Sequence, residues 1–249
     1  VKFPVEKTDA VSVMAYGYYP QIANKSAYHG GYYASLQAIV NNIAITGKYQ
    51  DIRLTMQEFF PSIKDEPRRM GLPFAALLGA YEVMKKLDIP AIGGKDSMSG
   101  SFKDTDVPPT LVAFAVNTSK IGDVVSRELK KTGTKLVLTK VDLDENDLVD
   151  FDQFKEVMKA YADLLKAHKV LAASSVSEYG LEFTLDDMSL GNAIAYELLE
   201  EVDDKFLAGN IVFEVEEDLD LDERYFKTIG KTTERIDISY LANERLYDI

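Results

Sequence analysis

The chain is expected to fold as layered α/β, mixed with α+β, in two successive units. Two observations lead there. Strand-like runs alternate with helical stretches along the chain, which is the signature of sheets covered by helices. Charge is also divided unevenly: residues 1–120 hold 13 Lys/Arg and 11 Asp/Glu, a net +2, whereas residues 121–249 hold 15 and 30, a net −15. A shift this abrupt favours two domains, 1–120 and 121–249, with a junction in the polar stretch 116–134. A chain of 249 residues, 46% of them hydrophobic, has enough material for such a core.

In the first unit, residues 11–16 (VSVMAY) are β-branched and apolar and read as a strand. Residues 31–46 carry apolar side chains at Tyr32, Leu36, Ile39, Val40, Ile43 and Ala44, a helical spacing with Gly47 as its stop. Residues 51–60 alternate as a strand, 72–87 form a second helix ended by Asp88-Ile89-Pro90, and 109–116 (PTLVAFAV) read as a buried strand. In the second unit, 135–141 is a strand and 152–168 an amphipathic helix. A strand follows at 170–176, a helical region through Glu200, and a strand at 210–215.

Composition narrows the chemistry. With no cysteine there is no disulfide framework, thiol nucleophile or thiolate-bound metal. Two histidines, His29 and His168, exclude a histidine-rich metal centre. A formal net charge of −13 repels phosphate backbones, so nucleic acid is not an expected partner. The longest apolar run, around 72–81, is too short for a membrane span, and no basic leader precedes an apolar stretch. The expected setting is soluble and cytoplasmic. Val at position 1 reads as the start of a piece cut from a longer chain.

The most distinctive stretch is AIGGKDSMSGS, residues 91–101. Gly93 and Gly94 allow close approach to a phosphate, Lys95 supplies positive charge, Asp96 suits a magnesium ion, and Ser97 and Ser99 can donate to oxygens. It is not a Walker A loop, because the required glycine is Ile89. On chemistry alone it reads equally as a phosphate contact or a Gly/Ser turn. Gln37 and Asn41 share a helix face and offer either two oxygens for a metal or a solvated polar stripe. His29, just before the helix at 31–46, suits phosphate binding or a structural role, and His168 suits a C-terminal helix cation. Residues 142–147 begin like a calcium loop, but Asp147 replaces its glycine and Gln153 its closing glutamate, leaving an acidic capping loop. Residues 214–223 hold seven acids and read as a solvated edge or loop.

IGGKDSMSGSF followed by VPPTLVAFAV resembles the second synthetase half of the large single-chain formylglycinamide ribonucleotide amidotransferases, in the aminoimidazole ribonucleotide synthetase superfamily. The likeness continues at SAYHGGYYASLQAIVNNIAITG (26–47), AASSVSEYGL (172–181), MSLGN (188–192) and the closing FKTIGK strand (226–231). It implies an N-terminal α/β domain that pairs through its sheet with a second copy, and a C-terminal α/β domain. It also implies ATP-dependent conversion of formylglycinamide ribonucleotide and glutamine to the amidine, with ATP/ADP and Mg²⁺ as cofactors.

Carried over by position, Gly93, Gly94, Lys95 and Asp96 match a nucleotide-phosphate loop, and Ser97 and Ser177 match substrate-binding serines. Gln37 and Asn41 match a Glu/Asn pair on Mg²⁺, Ser175 a Mg²⁺-binding aspartate, and Asp9 lies near another. The sequence departs from the pattern where Gln37 replaces glutamate, Ser175 replaces aspartate and Tyr179 replaces glycine. The family's catalytic histidine segment and glutaminase cysteine are not in this chain, so no catalytic residue is assigned. The implied partners are a first synthetase unit, a glutaminase domain and a small nucleotide substrate, with a homodimer in isolation. A free-standing ATP-dependent phosphotransferase and a ligand-free structural unit are the alternatives.

Overall fold

The computed structural model describes residues 1–5, 7–199 and 207–236. Its first sheet has the order β1-β6-β2-β3, with β1 at Ala10–Gly17, β2 at Arg53–Phe59, β3 at Ala91–Lys95 and β6 at Thr110–Lys120. β6 runs antiparallel to both β1 and β2, and β3 lies parallel to β2 at the far edge. A short hairpin, β4 (Ser101–Phe102) and β5 (Thr105–Asp106), stands apart. Helix α1 spans Pro20–Lys25, α2 spans Ala27–Thr46, and α3 spans Pro67–Leu87.

Alternation assigns the two faces of this sheet. Leu54, Met56, Leu111, Ala113 and Ala115 are buried beneath the helices. The opposite face carries Met14 beside Val116 and Tyr16 beside Phe114, with Met14 and Tyr16 exposed. Gly31 and Gly79 let α2 and α3 touch backbone to backbone. A Cβ on Gly31 would lie 2.0 Å from the Ala76 carbonyl oxygen, and one on Gly79 would lie 2.0 Å from that of Tyr28. α2 is therefore buried on nearly every side rather than amphipathic, packed against the sheet, α3, and elements of the second half.

The second sheet has the order β8-β10-β7-β11-β9, every neighbouring pair antiparallel. Its strands are β7 (Lys135–Thr139), β8 (Val170–Ser175), β9 (Ile194–Leu198), β10 (Ile211–Val215) and β11 (Phe226–Arg235). Helices α4 (Phe151–Lys166) and α5 (Leu181–Leu190) belong to this half. One apolar cluster joins α2, α3 and the first sheet to Val137, Phe154, Tyr161 and Phe213. A second gathers Leu136, Leu138, Val212, Leu185 and Met188 around α5. Among the described residues, no helix is long and apolar enough to cross a membrane.

Three sequence expectations need correction. The helical region through Glu200 ends at Leu190: Ala193 takes a positive φ of 53°, and the alternating β9 then pairs with β11. Glu200 itself lies outside the described residues. Ala91–Lys95 is a parallel edge strand, because Gly94 packs closely on Met56 of β2. Residues 214–223 are not wholly solvated, since Glu214 and Val215 sit in β10 with Glu214 fully buried.

Candidate functional site

The residues singled out from the sequence fall into two groups at opposite edges of the first sheet, separated by three strand spacings of about 4.8 Å each. The first group lines a cleft of about 440 Å³ between β1, α2, the end of β8 and the start of α5. Gly17 permits this junction: a Cβ there would stand 2.1 Å from the Ala34 carbonyl oxygen of α2. Gln37, Asn41, Ser175 and Ser177 all face the cleft, 134 or more residues apart across the two halves.

Three of these side chains form a closed network. Gln37 Nε2 donates to Ser175 Oγ at 2.6 Å and to Asn41 Oδ1 at 3.1 Å. Ser175 Oγ donates to Asn41 Oδ1, and Asn41 Nδ2 donates to the Tyr16 carbonyl at 2.8 Å. Tyr19, which sequence reasoning missed, donates from its hydroxyl to Gln37 Oε1 at 2.7 Å. Burial pushes the Tyr19 phenol well above its usual range, so it stays a neutral donor. Ser177 holds the turn before α5: its N–H donates to Thr184 Oγ1 at 2.9 Å and its hydroxyl accepts from the Tyr179 N–H at 3.3 Å.

This donor set does not fit a hard divalent cation. Gln37, Asn41 and Ser175 are neutral, and each binds the others rather than presenting free oxygens. Asp9 does not join them. It is exposed, just before the end of β1 remote from Gly17, 3.8 Å from Lys120. The cleft's carboxylates are Glu178 and Asp187. Burial raises the pKa of Glu178, and Asp187 is held by Arg127 at 2.5 Å. No group of three or more His, Asp or Glu among the described residues is placed to hold a metal. Gln37, Asn41 and Ser175 are held together here by hydrogen bonds, with no formal charge among them.

The second group is the GGKDS segment. Gly93, Gly94 and Lys95 lie on β3, exposed at the sheet edge, and none of Gly93, Gly94, Lys95, Asp96 or Ser97 lines the cleft. The segment is nevertheless firmly held. Ser97 N–H donates to the Glu58 carbonyl at 3.1 Å, Phe60 N–H to the Ser97 carbonyl at 2.8 Å, and Gly100 N–H to the Phe60 carbonyl at 3.0 Å. Arg69 then ties Ser62 to Asp106 below it. Lys95 has no ion pair within the described residues, which leaves its charge available at the surface.

Beneath this segment lies a residue that sequence reasoning missed. Glu58 is only 5% exposed, and its Oε1 has no hydrogen-bond partner. Burial, and then the charge of nearby Asp96, pushes its carboxyl up to about 7. The signal was present in the alternation: Leu54, Met56, Glu58 and Phe60 are in phase, so an acid occupies a core position.

His29 has a structural role. His29 Nδ1 lies 2.8 Å from Ser26 Oγ and its Nε2 3.2 Å from the Asn146 carbonyl, which docks the acidic loop on the start of α2. Asp144 in that loop accepts N–H groups from Asn146 and Leu148, and these hold its pKa below the usual value. The cap of α4 is Asp150, three residues beyond the stretch expected from sequence.

No protein-family model and no curated protein matches the chain. Solved structures do. Phosphoribosylformylglycinamidine synthase II of Thermotoga maritima superimposes with a TM-score of 0.69 at 18% identity, covering 92% of this chain and 36% of that one. PurL of T. maritima complexed with FGAR gives 0.70 at 16%, covering 92% and 35%. A thiamine monophosphate kinase of Aquifex aeolicus gives 0.54 at 13%, covering 94% and 87%. The chain thus spans little more than a third of the synthases and most of the kinase. The likeness establishes the fold, a mixed α/β arrangement shared with these structures.

Proposed function

We propose that this chain is the second synthetase-like unit of a phosphoribosylformylglycinamidine synthase, a purine-biosynthetic ligase that uses ATP and glutamine. Residues 1–120 would be its N-terminal and 121–249 its C-terminal domain. In this reading it supplies Gly94, Lys95 and Ser97 to a nucleotide and substrate site completed by another unit. The observation that carries this is the separation of the two groups. The GGKDS segment is anchored by main-chain hydrogen bonds, Lys95 has no ion pair among the described residues, and the segment does not line the cleft that holds Gln37, Asn41 and Ser175. The exposed face bearing Met14, Tyr16 and Phe114 provides a surface for a second unit, or a second copy in isolation. The T. maritima PurL structures with AMPPCP, ATP, ADP and FGAR support a nucleotide and a ribonucleotide substrate as the ligand classes. The structure named PurLQS supports a multi-component setting.

The cleft containing Gln37, Asn41 and Ser175 is, in this proposal, an auxiliary site that has lost its metal. Any nucleotide it holds is bound by hydrogen bonds and by Tyr16, Tyr179 and Phe183, without a contribution from Mg²⁺. Lys95→Ala in the intact synthase is expected to lower kcat/KM by about 100-fold, the loss of one well-placed charge on a phosphate. Unchanged turnover would overturn the loop's role. A second reading, a free-standing ATP-dependent phosphotransferase, draws on the near-complete coverage of the kinases. ATP hydrolysis or phosphoryl transfer by the chain alone would favour it.

A further inference from the structure

A second cavity, of about 650 Å³, opens between the two halves, away from both groups of site residues. It is bounded by the end of α2 and the turn after it, residues 46–50, by Asp123, and by the face of α4 from Lys155 to Lys166. The last turn of α2 divides it from the cleft: Ala44 and Ile45 line the cleft, whereas Thr46 and Gly47 line the cavity. The two share no residue. Its back wall is a close contact. Gly47 takes a positive φ of 68°, and an added Cβ there would lie 3.3 Å from the Cα of Ala162 in α4. The cavity is therefore built into the packing of one half on the other, and its size is that of small-molecule sites.

The winding of α4 sets the chemistry of this cavity. At about 100° per residue, Met158, Ala162 and Leu165 form one stripe, Lys155, Lys159 and Lys166 the next, and Glu156 and Asp163 lie beyond the lysines. All of these side chains line the cavity. The charge beside the apolar floor is thus positive, and the lysine methylenes widen that floor. Lys159 is taken by Asp163 at 2.8 Å, while Lys155 reaches Asp152, outside the cavity, only at 3.9 Å. Lys166, and Lys48 on the facing turn, have no ion pair among the described residues. Tyr49, beside Lys48, is half-buried, and burial pushes its phenol up, so it stays neutral. Four lysines against three acids give the lining a positive excess in a chain of net charge −13.

We propose that this cavity is a further ligand site, taking a small organic anion with an apolar body. The body lies on Met158, Ala162, Leu165 and Tyr49, and the anionic group faces Lys48 and Lys166. Both lysines are exposed and screened by solvent, so a dissociation constant of about 0.1–1 mM is expected.

The probe is 1-naphthyl phosphate, titrated into the chain and followed by calorimetry. Saturable binding is expected, with inorganic phosphate and the neutral 1-naphthalenemethanol each at least about tenfold weaker, because each lacks one half of the match. Lys48→Glu combined with Lys166→Glu reverses two exposed charges without touching the core, and should weaken the probe at least about tenfold. Ala162→Phe, which fills the cavity, should do the same, and the charge variant carries the test if that chain fails to fold. Lys95→Ala should bind the probe as the wild type does. No saturation by about 10 mM probe, an unchanged affinity in the charge variant, or inorganic phosphate binding as tightly as the probe would overturn the proposal. So would loss of binding in Lys95→Ala, which would assign the probe to the GGKDS segment instead. The cavity shares no residue with that segment, so failure here leaves the Lys95→Ala turnover test unaffected.

Discussion

Among the described residues, each half of the molecule buries one glutamate on a sheet strand, and the two are treated in opposite ways. Glu214 of β10 is fully buried and fully matched. It accepts the N–H groups of Lys130 at 2.7 Å and Lys131 at 3.0 Å and the hydroxyl of Thr134 at 2.8 Å. Glu58 of β2 is nearly as buried, yet one oxygen has no partner and its neighbour is another acid, Asp96. A buried carboxylate surrounded by donors is a strut. One without donors is a cost that the fold carries beneath the segment whose residues resemble a nucleotide loop. The second half is thus built for its own stability, and the first half gives up some stability beside the loop.

The sharpest way to break this comparison is to remove the strut. Glu214→Ala strands two backbone N–H groups and a threonine hydroxyl at once. A loss of about 3–4 kcal/mol is expected, because each buried donor keeps its desolvation penalty. For a domain of this size that corresponds to a melting temperature lower by about 10 °C. Urea unfolding at neutral pH measures it, and a change under about 1 kcal/mol would mean that water replaces the carboxylate freely.

Glu58→Gln is expected to act the other way. The wild-type carboxyl holds its proton up to about pH 7 in the folded chain, whereas its unperturbed value is 4.5. Between those values the folded state binds more proton than the unfolded state, so stability falls as pH rises from about 4.5 to 7. Glutamine has no proton to lose. The variant should match the wild type at pH 4.5 and exceed it by about 1–2 kcal/mol at pH 8. Equal stability of the two chains at pH 8 would place Glu58 among ordinary solvated acids and remove the contrast with Glu214.

How much of this was legible in the sequence follows from which forces each feature rests on. Elements governed by local pattern, such as Val170–Ser175 and Phe151–Lys166, were readable to within a residue or two. β9 was not, because its strand character comes from pairing with β11, and a short run such as IAYEL reads equally as helix or strand. The convergence of Gln37 with Ser175 was readable only through family resemblance, since 138 residues separate them. What resemblance cannot supply is that Tyr19 closes the network, or that Asp9 stays outside it. The self-bonding of the cleft is a property of side-chain geometry. So is the burial of Glu58, although its phase with Leu54 and Met56 was visible in the strand.

An effect of similar size bears on the cleft, the place where the two halves meet. Gln37 is held there because its amide both donates and accepts: Nε2 serves Asn41 and Ser175 while Oε1 takes the Tyr19 hydroxyl. In Gln37→Glu the donor becomes an acceptor facing two oxygens, and the network opposes itself. Without metal the variant should lose about 1–2 kcal/mol, the penalty of unmatched buried oxygens. Those same oxygens would now carry the charge that a hard cation requires. With 10 mM Mg²⁺, and a site of about 1 mM affinity, roughly 1.4 kcal/mol should return. The wild type should show no Mg²⁺ dependence, because its three side chains already satisfy one another. A wild-type melting temperature that rises with Mg²⁺, and a Gln37→Glu chain that ignores it, would show that the network is not what excludes the metal. The cleft would then belong with Glu58, as a place where buried oxygens are left unmatched, rather than with Glu214.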